Sequence, residues 1–206
     1  MSTSILKFFF GRFARDVYAA LKYPVWILNG RSAPDNHVYK KRRILKIARR
    51  HSCKTFIETG TFYGQMVKYA KNRFDVAVSI EIFETFQRKN AEIFAKYKNV
   101  HILLGDSSKN LPEAISLARG KIIYWLDGHY SGTGTGHGEK VSPIIEELRL
   151  IALSGRRDDC VIIDDRRLFT GQNGYPAVEE TIAELKKINP SYNINFDLDC
   201  IVAEPK

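Results

Sequence analysis

Cysteine is scarce in this sequence: Cys53, Cys160 and Cys200 are its three cysteines, they lie far apart, and none forms a C-x-x-C pair. That spacing offers neither a disulfide framework nor a zinc site, and it fits a reducing, cytoplasmic setting. Long hydrophobic runs are missing too. Lys7, Arg12, Arg15, Asp16 and Lys22 interrupt the first apolar stretch, so nothing approaches the roughly 20 residues that span a bilayer. The run from Phe8 to Phe10 is far shorter than the apolar core of a secretion signal. Neither a G-x-G-x-x-G turn nor a P-loop ending in Gly-Lys-Ser/Thr occurs, which disfavours pyrophosphate-bearing cofactors.

Acid is scarce in one region only. The chain of 206 residues has a net charge of +9, which invites a nucleic acid or an anionic membrane as partner. Residues 1–50, however, hold twelve Lys and Arg against Asp16 and Asp35, a net +10, and the rest of the chain balances at −1. The charge therefore belongs to a basic helical N-terminal segment, residues 1–50, ahead of a near-neutral domain, residues 51–206. With 44% apolar and 12% aromatic residues, the chain as a whole has ordinary globular composition.

Within the basic segment, Ile5, Phe9, Phe13, Val17 and Leu21 recur every four positions, while Lys7, Gly11, Arg15 and Lys22 lie on another side. This is the pattern of a basic amphipathic helix. Its apolar stripe, residues 5–21, is expected to pack on the domain or on a second subunit, or to rest on an anionic membrane surface. Pro24 and Asn29-Gly30 punctuate the chain, and Pro34-Asp35 opens a second basic helix running to Arg50, with the run Lys40 to Arg43 read as a solvated face.

From Thr55 onward, short apolar runs alternate with helical patterns. The strand candidates are 55–57, 76–80, 100–104, 121–126 and 160–163; helix candidates fall at 65–71, 85–96, 108–118, 142–153 and 177–188. That rhythm predicts a Rossmann-like α/β fold, a doubly wound, mostly parallel sheet. Three residues separate the final strands, 192–196 and 200–203, too few for a crossover, so an antiparallel hairpin closes the chain.

Ligands of such sheets sit beyond the carboxyl ends of the strands. There the sequence places Glu58-Thr59-Gly60-Thr61-Phe62-Tyr63-Gly64, then Glu81, then Gly105-Asp106-Ser107, then Asp127-Gly128-His129-Tyr130. Glu81 suits a pair of ribose hydroxyls. A Glu at the mouth of the glycine turn would repel a diphosphate but suits a ligand with a positive centre.

This ordered set, over residues 53–204, resembles the class I S-adenosylmethionine-dependent methyltransferases. The resemblance implies a seven-stranded sheet with an antiparallel last strand. It implies Glu58, Gly60 and Gly64 around the methionine part of S-adenosylmethionine, Glu81 on its ribose, and Asp106 with Ser107 at its adenine. Base-modifying DNA methyltransferases carry Asp/Asn-Pro-Pro-Tyr/Phe where this chain has Asp-Gly-His-Tyr. A nucleic-acid acceptor is disfavoured on that ground, although a nucleic-acid methyltransferase using the basic arm, or a silent cofactor-fold binding module, stays open.

Asp164-Asp165 ends the fifth strand, beside the fourth, so three carboxylates should converge with Asp127 and call for a cation. An all-oxygen set favours Mg²⁺ over zinc. Both aspartates share one site only if the strand ends there, since neighbouring strand residues point to opposite faces. One Asp followed by an Asp-Asp pair resembles the Mg²⁺-dependent sugar O-methyltransferases, and the Asp-Gly-His-Tyr-Ser-Gly stretch resembles small methyltransferase-like proteins of polysaccharide gene clusters. The expected acceptor is then a hydroxyl of a sugar, another small molecule or a glycan. Asp127 and His129 are the candidate catalytic residues, His129 as general base. Asp127, Asp164 and Asp165 are the candidate metal ligands. His137 is a weaker base candidate in a loop with five glycines between 128 and 138. Arg166 and Arg167 can pair with the acidic cluster, hold an anionic substrate or stay solvated.

Overall fold

The computed structural model describes residues 3–128 and 141–206. Two helices, α1 (Thr3–Leu28) and α2 (His37–Arg50), precede the alternating part of the chain. There β1 (Cys53–Thr59), α3 (Gln65–Ala70), β2 (Val76–Glu81), α4 (Glu84–Phe94), β3 (Val100–Leu104), α5 (Ser107–Ser116) and β4 (Lys121–Leu126) follow one another. After them come α6 (Ile144–Leu153), β5 (Cys160–Ile163), α7 (Val178–Ile188), β6 (Asn193–Asp197) and β7 (Cys200–Glu204). The seven strands form one sheet in the order β3-β2-β1-β4-β5-β7-β6. β1 to β5 run parallel, and β7 is antiparallel to both of its neighbours. The closing hairpin and the alternating rhythm are as the sequence predicts.

Period-two side-chain alternation explains why helices cover both faces. Ile57, Val78, Ile80, Tyr124, Leu126 and Ile163 point to one side, packed with Leu111, Leu148, Ile151 and Leu185 of α5, α6 and α7. Phe56, Ala77, Ile123, Trp125 and Ile162 point to the other, packed with Ile44, Ile47 and Ala48 of α2 and Met66 of α3. The residues on either side of position 50 thus share one core. The run Lys40 to Arg43, expected as a solvated face, is split by the helical period: Lys40 and Arg43 are buried and Arg42 is exposed. Arg43 reaches Asp35 at 2.5 Å and Asp197 at 2.8 Å.

Pro24 does not end α1, which continues through it to Leu28. Termination falls instead on Asn29-Gly30, where Gly30 and Arg31 take positive φ. Of the stripe Ile5, Phe9, Phe13, Val17 and Leu21, Ile5 is buried but the other four are exposed, and α1 buries Phe8, Arg12, Ala19 and Trp26 alongside Ile5. The three cysteines are free and buried.

Candidate active site

Strand register decides what meets at the carboxyl edge. Glu58 of β1 lies beside Ser79 of β2 and Trp125 of β4, and Leu126 lies beside Ile163 of β5. The residues just after these positions therefore come out at one level, on either side of the β1/β4 boundary where the strand order reverses.

The turn after β1 needs its glycines. Gly60 has φ +87°, and a Cβ there would stand 2.8 Å from the Asp127 carbonyl oxygen, so only glycine lets the β1 and β4 ends approach this closely. Gly64 has φ +71° and abuts the Asn90 side chain. Glu58 is fully buried and accepts a hydrogen bond from the Ser79 hydroxyl at 2.7 Å. Burial pushes its carboxyl well above the usual range, and the charges of Asp127 and Glu81 add to the effect. Glu81 accepts from the Phe62 N–H at 2.8 Å and the Phe83 N–H at 2.9 Å. Burial raises its carboxyl too, against the pull of those backbone donors. Asp106 caps α5, accepting from the Ser108 N–H at 2.9 Å and the Ser108 hydroxyl at 2.8 Å. Ser107 is buried.

Asp127, Asp164 and Asp165 converge, each offering an oxygen within 4.8 Å of the others. β5 stops at Ile163, and Asp165 takes φ +56°, so the chain turns sharply and both aspartates face one place. Burial raises the Asp127 carboxyl well above its ordinary value, with the charge of Asp164 adding to it. The donor set fits a hard divalent ion.

Two cations are already there. Lys40 of α2 ion-pairs with Asp164, and its ammonium lies 5.6 Å from the Trp125 ring centre. Burial works against its charge, but Asp164, Asp127 and Asp165 outweigh burial and raise its pKa. Arg167 reaches Asp165 at 2.7 Å and also pairs with Asp199. Of the roles open to it, pairing is the one observed, whereas Arg166 lies over the Phe196 ring. His129 and His137 lie outside the described residues.

Glu147 is the other residue the sequence reading missed. It comes from α6, is 1% exposed, and lines a cavity with Asp127, Gly128, Asp164 and Tyr175. Its Oε1 has no hydrogen-bond partner among the described residues. Burial pushes its carboxyl up to about 7, against hydrogen bonds from Ser107 and Thr59. A signal existed for both misses. Glu147 shares the inward stripe of Ile144, Leu148 and Ile151, and Lys40 that of Ile44 and Ile47, so each is a charge at a core position of an amphipathic helix.

No protein-family model matches the sequence, and no curated protein matches it either. Solved structures do match in fold. The methyltransferase PaMTH1 of Podospora anserina, solved with S-adenosylhomocysteine bound, superposes with a TM-score of 0.55 at 12% identity, over 100% of this chain and 89% of that one. The N-methyltransferase NodS of Bradyrhizobium japonicum gives 0.54 at 9% identity, over 82% and 96%. Human N-acetylserotonin methyltransferase, solved with S-adenosylmethionine, gives 0.50 at 11%, over 94% and 56%. The chain thus has the fold of the class I S-adenosylmethionine-dependent methyltransferases.

Proposed function

We propose that the protein transfers a methyl group from S-adenosylmethionine to a hydroxyl of a sugar, another small hydroxylated molecule or a glycan. The observation that carries this reading is the acidic well at the strand ends. Glu58, Glu81 and Asp127 are held in or beside the core, and each has its proton affinity raised. A ligand with a positive centre relieves that strain, as a sulfonium does and a diphosphate does not.

In the transfer, the acceptor oxygen attacks the methyl carbon in line with the sulfur. The O–C bond forms, the S–C bond breaks with its electron pair left on sulfur, and the hydroxyl proton passes to a base. The leaving group is already good, so the protein's task is to position the reactants and accept the proton. Glu58, Gly60 and Gly64 would hold the methionine end of the donor, Glu81 the ribose, and Asp106 with Ser107 the adenine. Glu147, titrating near neutrality in the same cavity as Asp127, is placed to take the proton, a role for which His129 is the other candidate.

Asp127, Asp164 and Asp165 would hold a divalent ion, which when bound supplies Lewis acidity toward an acceptor hydroxyl. A metal-free reading rests on Lys40, whose ammonium already neutralises Asp164. The test is transfer of labelled methyl into nucleotide sugars, glycans, lipids and RNA, with Mg²⁺ and with a chelator. Label in a sugar or glycan supports the proposal. Label in RNA alone, or in no acceptor although S-adenosylmethionine binds, overturns it. Transfer undiminished by the chelator rejects the metal and leaves Lys40 as the resident cation.

A further inference from the structure

The inward face of α1 packs on the domain. Phe8 stacks on Tyr63 with ring centres 4.7 Å apart, Arg12 lies 5.1 Å from the ring centres of both Phe9 and Phe94, and Asp16 binds Lys41 at 2.8 Å and Lys68 at 2.6 Å. The opposite face is apolar and exposed. Phe9, Phe10, Phe13, Val17, Leu21 and Leu28 stand between 39% and 84% exposed. At about 100° per residue these six fall in one sector roughly 120° wide, and no Lys, Arg, Asp or Glu of α1 falls within it. The exposed Lys7 lies about 40° beyond one edge of the sector, and the exposed Lys22 about 100° beyond the same edge. From Phe9 to Leu28 the stripe extends for about 29 Å along the helix.

Charge decides the occupant. Both acids of the first fifty residues are paired, Asp16 with Lys41 and Lys68 and Asp35 with Arg43, so the exposed charge of this segment, Lys7, Lys22, Arg31 and Arg42 among it, is basic. A second copy docking stripe to stripe would bring one basic segment against another, which costs energy. An anionic lipid surface meets both features at once, taking the apolar side chains below the headgroups and the basic rim at their level. We propose that α1 lies in the plane of an anionic membrane and anchors the protein there as an interfacial helix, with no span across the bilayer. Among the described residues no helix is long and apolar enough to cross one.

The inward face of α1 adjoins the glycine turn. Tyr63, between Gly60 and Gly64, carries Phe8 and Arg15 of α1 on its ring, so the anchor places the candidate site at the membrane surface whatever its methyl acceptor is.

The test is co-sedimentation of the full chain with phosphatidylcholine vesicles containing about a third phosphatidylglycerol, with pure phosphatidylcholine vesicles, and with no lipid. A triple variant, Phe10→Ser, Phe13→Ser and Leu21→Ser, changes exposed positions only, and unchanged circular dichroism and urea midpoint establish its fold. The wild type is expected to partition onto the anionic vesicles at least about tenfold better than onto the neutral ones, and the triple variant to lose about tenfold or more. Equal partition of wild type and variant overturns the proposal. So does absence of vesicle binding together with a dimer in sedimentation velocity that the triple variant converts to monomer, which assigns the stripe to a second copy.

Discussion

Replacing Lys40 by methionine keeps the four-atom apolar stem and removes the ammonium that pairs with Asp164, whose side chain is fully buried. Asp127, Asp164 and Asp165 then face one another with ligand oxygens within 4.8 Å. At an effective dielectric of about 20, two such charges repel by roughly 3 kcal/mol. The cluster can escape by binding a proton. Relative to the unfolded chain, whose carboxyls keep an ordinary pKa near 4, that costs about 4 kcal/mol at pH 7 and only about 1 to 2 kcal/mol at pH 5. The cheaper route sets the loss, so Lys40→Met should destabilise the fold by about 3 to 4 kcal/mol at pH 7, in the range for breaking a buried ion pair. With a urea slope near 2.5 kcal/mol per M, the midpoint falls by about 1.2 to 1.6 M at pH 7 and by less than half of that at pH 5. Equilibrium urea unfolding at the two pH values measures both numbers. A fall below about 0.4 M at pH 7, or an equal fall at both pH values, would refute the argument that Lys40 neutralises the acidic cluster. The same variant reads out the metal. If the three carboxylates take a divalent ion, millimolar Mg²⁺ should restore a large part of the lost midpoint, and Na⁺ at equal ionic strength should not.

Glu147 gives a pH effect of defined sign. Its carboxyl is raised from 4.5 to about 7 in the folded chain. Below the unfolded value it is neutral in both states; as pH rises from there to about 7 the unfolded chain ionises first and folding loses up to roughly 3 kcal/mol, with no further loss above. Glu147→Gln should therefore match the wild type near pH 4.5 and exceed it by up to that amount at pH 8, and equal urea midpoints at pH 8 would dismiss the raised carboxyl. At the cofactor end, Glu81→Ala leaves the N–H groups of Phe62 and Phe83 without their acceptor. The glycine turn then loses its shape along with the proposed ribose ligand. Affinity for S-adenosylhomocysteine by calorimetry should drop at least about tenfold, and an unchanged value in the folded variant would remove Glu81 from the cofactor site.

The parts of this molecule that could be read from its sequence are those in which local pattern and global packing agree. Apolar runs of strand length separated by helical patterns fix a parallel sheet, and the reversal point of that sheet brings Glu58, Glu81 and Asp127 to one edge through register alone. The convergence of Asp164 and Asp165 depended on something finer, where β5 stops and whether Asp165 turns left-handed, and no residue pattern announces that for a non-glycine position. The direction in which α1 faces was not legible for a different reason. Its apolar residues surround most of the helix, so a period of four picks out a stripe without saying which stripe the domain covers. The domain covers the side that offers Lys41 and Lys68 to Asp16 and aromatic rings to Phe8 and Arg12, because a half-buried carboxylate must be paired while an exposed Phe need not be. Lys40 obeys the same constraint from the other end. Counted with the basic arm it looked like surface charge, yet it stands at an inward position of α2, and an ammonium can be buried there only because carboxylates from β4 and β5 converge on it. The acidic cluster and the buried lysine are thus one feature. Whether a metal enters that site turns on how far Mg²⁺ can displace an ammonium that the fold itself supplies.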